Sequence, residues 1–166
     1  MFKNIEDFRK AWDYEAETTG KVLLNLTDES LSIKVYDDGR TLGYLAWHLT
    51  LTLHEMLALV GLNIDVPAPE TEIPVNAAEI ARIYGIGGRS VGEEVSKNWT
   101  LETLLIEDEM YGETWSRGMT LFYLIAHQTH HRGQMTVLMR QAGLKVPGIY
   151  GPSKEEWAVF GQEALP

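Results

Sequence analysis

The stretch 124-LIAHQTHHRGQMTVLMRQAG-143 decides the fold. Stepping by three or four from Leu124 through positions 127, 131 and 135 to Leu138 and Ala142 traces one face of an α-helix, with Leu121, Ile125 and Met139 beside it. Gly143, with Pro147 beyond it, supplies a C-terminal stop. Thr114 or Ser116 caps the other end, which predicts a helix over Arg117–Gln141. Two positions on that apolar face, 127 and 131, are histidines, and three of the chain's five histidines fall between 127 and 131. A stripe that buries imidazoles must face partners able to use them.

Three more amphipathic segments supply those partners. Ile5, Phe8, Trp12, Thr19, Val22 and Leu26 recur at helical spacing, diluted at Glu15 and Ala16, with Asn4 as cap and Asp7 in the first turn. This predicts a first helix over Ile5–Leu26. Leu42, Leu45, Leu49, Leu53, Met56 and Val60 predict a second over Thr41–Val60, stopped at Gly61 before the Pro-rich loop "DVPAPETEIP". Asn76 and Glu79 resemble a capping box that opens a third helix over Ala77–Lys97. Its glycines, Gly85, Gly87, Gly88 and Gly92, imply a kink or close helix packing. "GIGGRSVG" lacks both the spacing and the preceding strand of a dinucleotide-binding turn. Residues Trp99–Glu113 read as a short hairpin or an irregular connection around Gly112, and the tail as a loop plus a short helix capped by Ser153. The expected fold is all-α, a four-helix bundle forming one domain over residues 1–166.

Composition narrows the function. The net charge of −10, without any basic cluster, opposes nucleic-acid binding, because such proteins neutralise phosphates with Lys and Arg. With no cysteine, a tight metal site must use His, Asp or Glu. The charged start "MFKNIEDFRK" has no apolar signal core, and the most apolar run contains His48, His54 and Glu55, so the expectation is a cytoplasmic protein with no membrane span.

Four residues advance a helix about 40° past one turn, so His127 and His131 stack on one face. His130 lies about 60° from His127 and about 100° from His131, and is the reserve candidate. On the second helix His48 falls between Leu45 and Leu49 on the apolar stripe, whereas His54 is turned about 240° away. Three inward imidazoles on two helices form a facial ligand set that suits Zn²⁺, Ni²⁺, Fe²⁺ or Mn²⁺ and leaves positions open for water or substrate. Gln128 stands where a zincin's helix would carry its glutamate, which disfavours peptide hydrolysis. Acid should displace such an ion near the ordinary imidazole pKa of about 6.5.

The segments "TLGYLAWHLTLTLHEML" and "HQTHHRGQMTVLMRQAGLKVPGIYGPS" together resemble the DinB/YfiT-like family of metalloenzymes, over nearly the whole chain. The resemblance implies a bundle in up-down-down-up order, a divalent metal on His48, His127 and His131, and a homodimer. Gln128 departs from the acidic residue common there in relatives. Some relatives resemble transferases or isomerases that act on small molecules through low-molecular-weight thiols, and a divalent ion can activate a thiol without any protein cysteine. Two readings follow: a metal-dependent transferase or hydrolase of a small thiol-bearing or electrophilic substrate, or a non-catalytic stress-response protein whose ion clamps two helices. Gln134 and Tyr44 lie near the ligand faces and are the candidates for orienting a bound water or substrate. Arg132 points off that face towards an acidic partner on a neighbouring helix, and Gly133 is expected to permit close helix approach.

Overall fold

The cap at Asn4 forms as its sequence predicts, its side chain accepting from the Asp7 N–H at 2.8 Å. From it runs α1 (Ile5–Leu23) in the computed structural model, which describes residues 2–164. Three further helices follow: α2 (Leu42–Ala58), α3 (Ala77–Asn98) and α4 (Arg117–Gln141). A hairpin of β1 (Glu107–Met110) and β2 (Glu113–Ser116) precedes α4, paired antiparallel with Glu107 opposite Ser116. Its Tyr111–Gly112 turn has positive φ at both residues, so the connection is a hairpin around Gly112.

The helix ends follow local chemistry. Ser116 caps α4 by accepting from the Met119 N–H. Gly61 and Gly143 take left-handed φ of 82° and 71°, and the N–H groups of Leu62 and Leu144 reach back to the Leu57 and Met139 carbonyls, closing both helices. α1 stops at Leu23, three residues earlier than its stripe predicts, because tight turns carry the chain onward. Only half of the capping box at α3 forms: Asn76 accepts from the Glu79 N–H, while the Glu79 carboxylate pairs with Arg82 at 2.7 Å. The short C-terminal helix is a 3-10 turn over Trp157–Phe160 that Ser153 does not cap.

Contacts between particular residues set the helix directions. Arg9 faces Gly92 and Trp12 donates to the Gly88 carbonyl, so α1 and α3 run antiparallel. Leu53 lies against Gly87, while the chain just before α2 lies near the start of α3 (Leu31 against Gly43, Asp28 bonded to the Ala77 N–H), so α2 and α3 run parallel. α4 runs antiparallel to α2, with His48 against His127 and Leu45 beside Gln134 and Leu138. The order is up-down-down-up, as the resemblance implies. The core joins all four helices through residues such as Trp12, Leu49, Val91 and Leu124, each fully buried. No helix among the described residues is long and apolar enough to cross a membrane.

Gly87, Gly88 and Gly92 of α3 serve close packing, Gly85 does not, and the helix runs through all four unbroken. A Cβ on Gly87 would lie 2.3 Å from Val66 Cγ1 and 3.0 Å from Leu53 Cδ1. Gly133 is different: it is exposed, and a Cβ there meets nothing within 4 Å, so it does not serve helix approach. Gly87→Ala is therefore expected to destabilise by roughly 1–3 kcal/mol through overpacking. Gly133→Ala is expected to stabilise by about 0.5–1 kcal/mol through helix propensity. Urea denaturation checks both, and a stabilised Gly87→Ala would contradict the packing.

Candidate metal centre

His48 enters the bundle from α2 because Leu45 and Leu49, both buried, fix that face of the helix inward. His127 and His131 enter from α4, bracketed by the buried Leu124 and Met135. The ligand-competent atoms of the three imidazoles all lie within 4.8 Å of one another. His48 Nε2 and His127 Nε2 are 3.2 Å apart, and the ring centroids are 4.5–5.0 Å apart. Two imidazoles on one ion at metal–nitrogen distances of about 2.0–2.1 Å sit about 3.0–3.4 Å apart, so the 3.2 Å separation fits a shared ion.

Electrostatics favour neutral rings. Burial, reinforced by the neighbouring His131 and by Arg40, pushes His48 down to about 4. Burial and the surrounding imidazoles push His127 to about 4 as well. His131 is also lowered by burial, against the opposing effect of its hydrogen bond to Gln134. Neutral imidazoles offer lone pairs, the state a metal requires. Gln134 Oε1 lies 2.7 Å from His131 Nδ1 and, as acceptor, holds the proton there and leaves Nε2 bare, a usual support for a ligand histidine. His127 Nδ1 is buried without a hydrogen-bond partner among the described residues, so this ring lacks the outer acceptor His131 has.

The other histidines stand apart. His54 Nδ1 accepts from the Ile64 N–H at 3.3 Å, a bond that ties the loop after α2 to the helix. His130 is exposed, rests against His131 and approaches Gln134 Nε2 at 3.2 Å, outside the three-histidine group. Tyr44 stacks on His48 with ring centroids 5.9 Å apart, and the Arg40 guanidinium lies 5.0 Å from the Tyr44 ring centroid. Gln128 is fully buried; it accepts from the Tyr84 hydroxyl and donates to the Leu49 carbonyl, bridging α4 to α3 and α2. An acidic side chain there would lose the donated bond.

Arg132 is 1 % exposed and donates to Glu15 at 2.6 Å, to Thr19 and to the Tyr150 hydroxyl. Tyr150 also donates to Glu15, which locks the "GIYG" exit against α1. Sequence reasoning placed Arg132 opposite an unspecified acid but read Glu15 only as a break in the stripe.

A cavity of about 430 Å³ opens beside the histidines, with His48, His127 and His130 on one side and Tyr111, Trp115 and Tyr123 among its other walls. Tyr44 and Gln134 do not line it. The hairpin supplies Tyr111 and Trp115, and neither was singled out by spacing or stripe phase.

The DinB family model matches residues 1–164. The chain belongs to the DinB family. It is 44% identical over 164 residues to the uncharacterized protein YrdA of Bacillus subtilis strain 168, covering 99% of this chain and 98% of that protein. A crystal structure of a DinB-like protein from Bacillus cereus ATCC 10987 superposes with a TM-score of 0.86 at 41% identity, over 90% of this chain and all of that one. The DinB-like protein YjoA of Bacillus subtilis shares the fold at TM-score 0.68 and 14% identity, over 86% of this chain and 96% of that one.

Proposed function

We propose that this DinB-family chain holds a divalent ion, Zn²⁺, Ni²⁺, Fe²⁺ or Mn²⁺, on His48, His127 and His131 and uses it as a metal-dependent transferase or hydrolase. The substrate is a small molecule that is thiol-bearing or electrophilic, and a low-molecular-weight thiol is the partner that suits the site. The observation that carries this reading is the convergence of three imidazoles, held neutral by burial, beside a cavity of about 430 Å³. An ion there would bind a thiol or water and lower its pKa. Around it the chain does the positioning: Gln134 orients His131, and the α2 and α4 stripes aim the other two rings. A homodimer and the lack of nucleic-acid binding belong to the same proposal, the latter resting on the −10 charge. In the competing reading, a non-catalytic stress-response protein, the ion only clamps α2 to α4. A cavity in contact with two of the three ligand rings favours the enzyme.

The direct test is elemental analysis of protein purified without an affinity tag, followed by a thiol-transfer screen against electrophiles. About one divalent ion per chain is expected. Sub-stoichiometric metal after growth in metal-replete medium would defeat the reading.

The lowered imidazole values revise the acid limit. Burial lowers all three rings below the ordinary value near 6.5, His48 and His127 to about 4, so proton competition for the ion should set in at a lower pH than it would for free imidazoles. The metal-free protein behaves differently. Its folded rings titrate below the unfolded value, so on acidification the unfolded chain takes up protons first. Stability is then complete above about pH 6.5 and falls as pH drops towards 4. Melting temperatures of chelator-treated protein across pH 7.5–4.5 check the sign against the His48→Ala/His127→Ala variant, whose curve should be flatter.

A further inference from the structure

We propose that the cavity beside the histidines selects a ligand bearing an organic cation, a primary or quaternary ammonium, which Glu55, Tyr111, Trp115 and Tyr123 hold while the ligand's other end faces the histidines. The far end rests on the metal-site reading; the cation end does not.

The cavity lining carries three aromatic rings in series and one carboxylate, Glu55, with no Lys or Arg. Trp115 lies between the others, its ring centroid 4.6 Å from Tyr123 and 5.8 Å from Tyr111. Aromatic faces carry a negative quadrupole that attracts cations, and a nearby carboxylate adds charge without closing the pocket. A purely apolar ligand would gain nothing from Glu55, and an anion would be repelled by it. Glu55 is seven residues after His48 on the same helix, about 10 Å along its axis, and both line one cavity. That spacing defines a small ligand with a metal-binding donor at one end and a cation at the other. A donor deprotonated on the ion would offset part of the ion's charge.

The hairpin points the same way. Its strands 107-EDEM-110 and 113-ETWS-116 contribute four carboxylates, of which only Asp108 is neutralised, by Arg117 at 2.8 Å. Together with the −10 net charge, these carboxylates favour the approach of cations over anions. Tyr111 has φ 55°, a conformation that bulky residues seldom adopt and that a hairpin turn normally gives to Asn, Asp or Gly. The backbone keeps it there with its hydroxyl donating to Glu55 at 3.3 Å and its ring on the cavity wall. Strain retained at a bulky residue is a feature of ligand sites.

Choline and its neutral isostere 3,3-dimethylbutan-1-ol are the probes, titrated calorimetrically into chelator-treated protein. Without metal, the result is independent of the metal reading, which elemental analysis tests separately. Choline should bind at least about tenfold more tightly than the alcohol, and Glu55→Gln and Trp115→Leu should each weaken it by about tenfold or more. Gly133→Ala, at an exposed position outside the cavity lining, should leave choline affinity unchanged. Glu55 is exposed, so Glu55→Gln keeps the test decisive if Trp115→Leu folds poorly. Equal affinity for the alcohol, unchanged binding in Glu55→Gln, or no heat from choline at millimolar concentration would overturn the proposal.

Discussion

Replacing His48, His127 or His131 with Ala is expected to weaken divalent-metal binding by more than about 100-fold each, beyond the 10–100-fold usual for loss of a supporting partner. The three rings contribute the only clustered ligand atoms among the described residues, all within 4.8 Å, so two remaining imidazoles leave too few donors for a tight site. Gln134→Ala should fall within the 10–100-fold range, because it frees the His131 tautomer without removing a ligand. His54→Ala should bind normally, since His54 bonds a loop backbone, and His130→Ala should weaken binding only slightly, since His130 is exposed and touches the site through His131 and Gln134. Competition titration against a chromophoric chelator reads all six variants. Full affinity in any of the three ligand variants would remove that residue from the site. The same variants separate the two functional readings. A catalytic ion predicts folded but inactive proteins, whereas a clamp predicts a large drop in melting temperature in the metal-loaded state alone.

The second large effect lies away from the metal. Arg132→Met should destabilise the protein by about 3–5 kcal/mol, because it strands the Glu15 carboxylate inside the bundle without its guanidinium. Glu15 is 8% exposed, and its neighbours Thr19 and Tyr150 cannot replace the charge. For a chain of this size that corresponds to roughly 6–20 °C in melting temperature. Arg132→Met combined with Glu15→Leu should recover most of the loss, since a matched apolar pair carries no desolvation cost. Chemical denaturation of the single and double variants forms the cycle. A double variant no better than Arg132→Met alone would mean that the pair contributes packing and not charge compensation.

The bundle was legible because its helices state their own periods. The α2 and α4 stripes follow steps of three and four, Asn4 and Ser116 are capping residue types, and Gly61 and Gly143 end helices in a conformation that glycine adopts without a Cβ penalty. Stripe phase also put His48, His127 and His131 on inward faces, because direction round a helix depends only on residue count. Their meeting at 3.2 Å between His48 and His127 did not follow from phase, since that also requires the relative height of two antiparallel helices. Glu15 illustrates the limit. A glutamate on an apolar stripe reads as a flaw until the fold brings Arg132, 117 residues later, against it. Tyr111 illustrates it again, as a turn residue whose role depends on where the hairpin lands against α2. Local sequence determined the helices, their ends and the facing of their side chains, because those depend on neighbours within one turn. Only the tertiary structure decided which faces share a level, which buried charge finds its partner and what lines the cavity, because those are distances between segments remote in the chain.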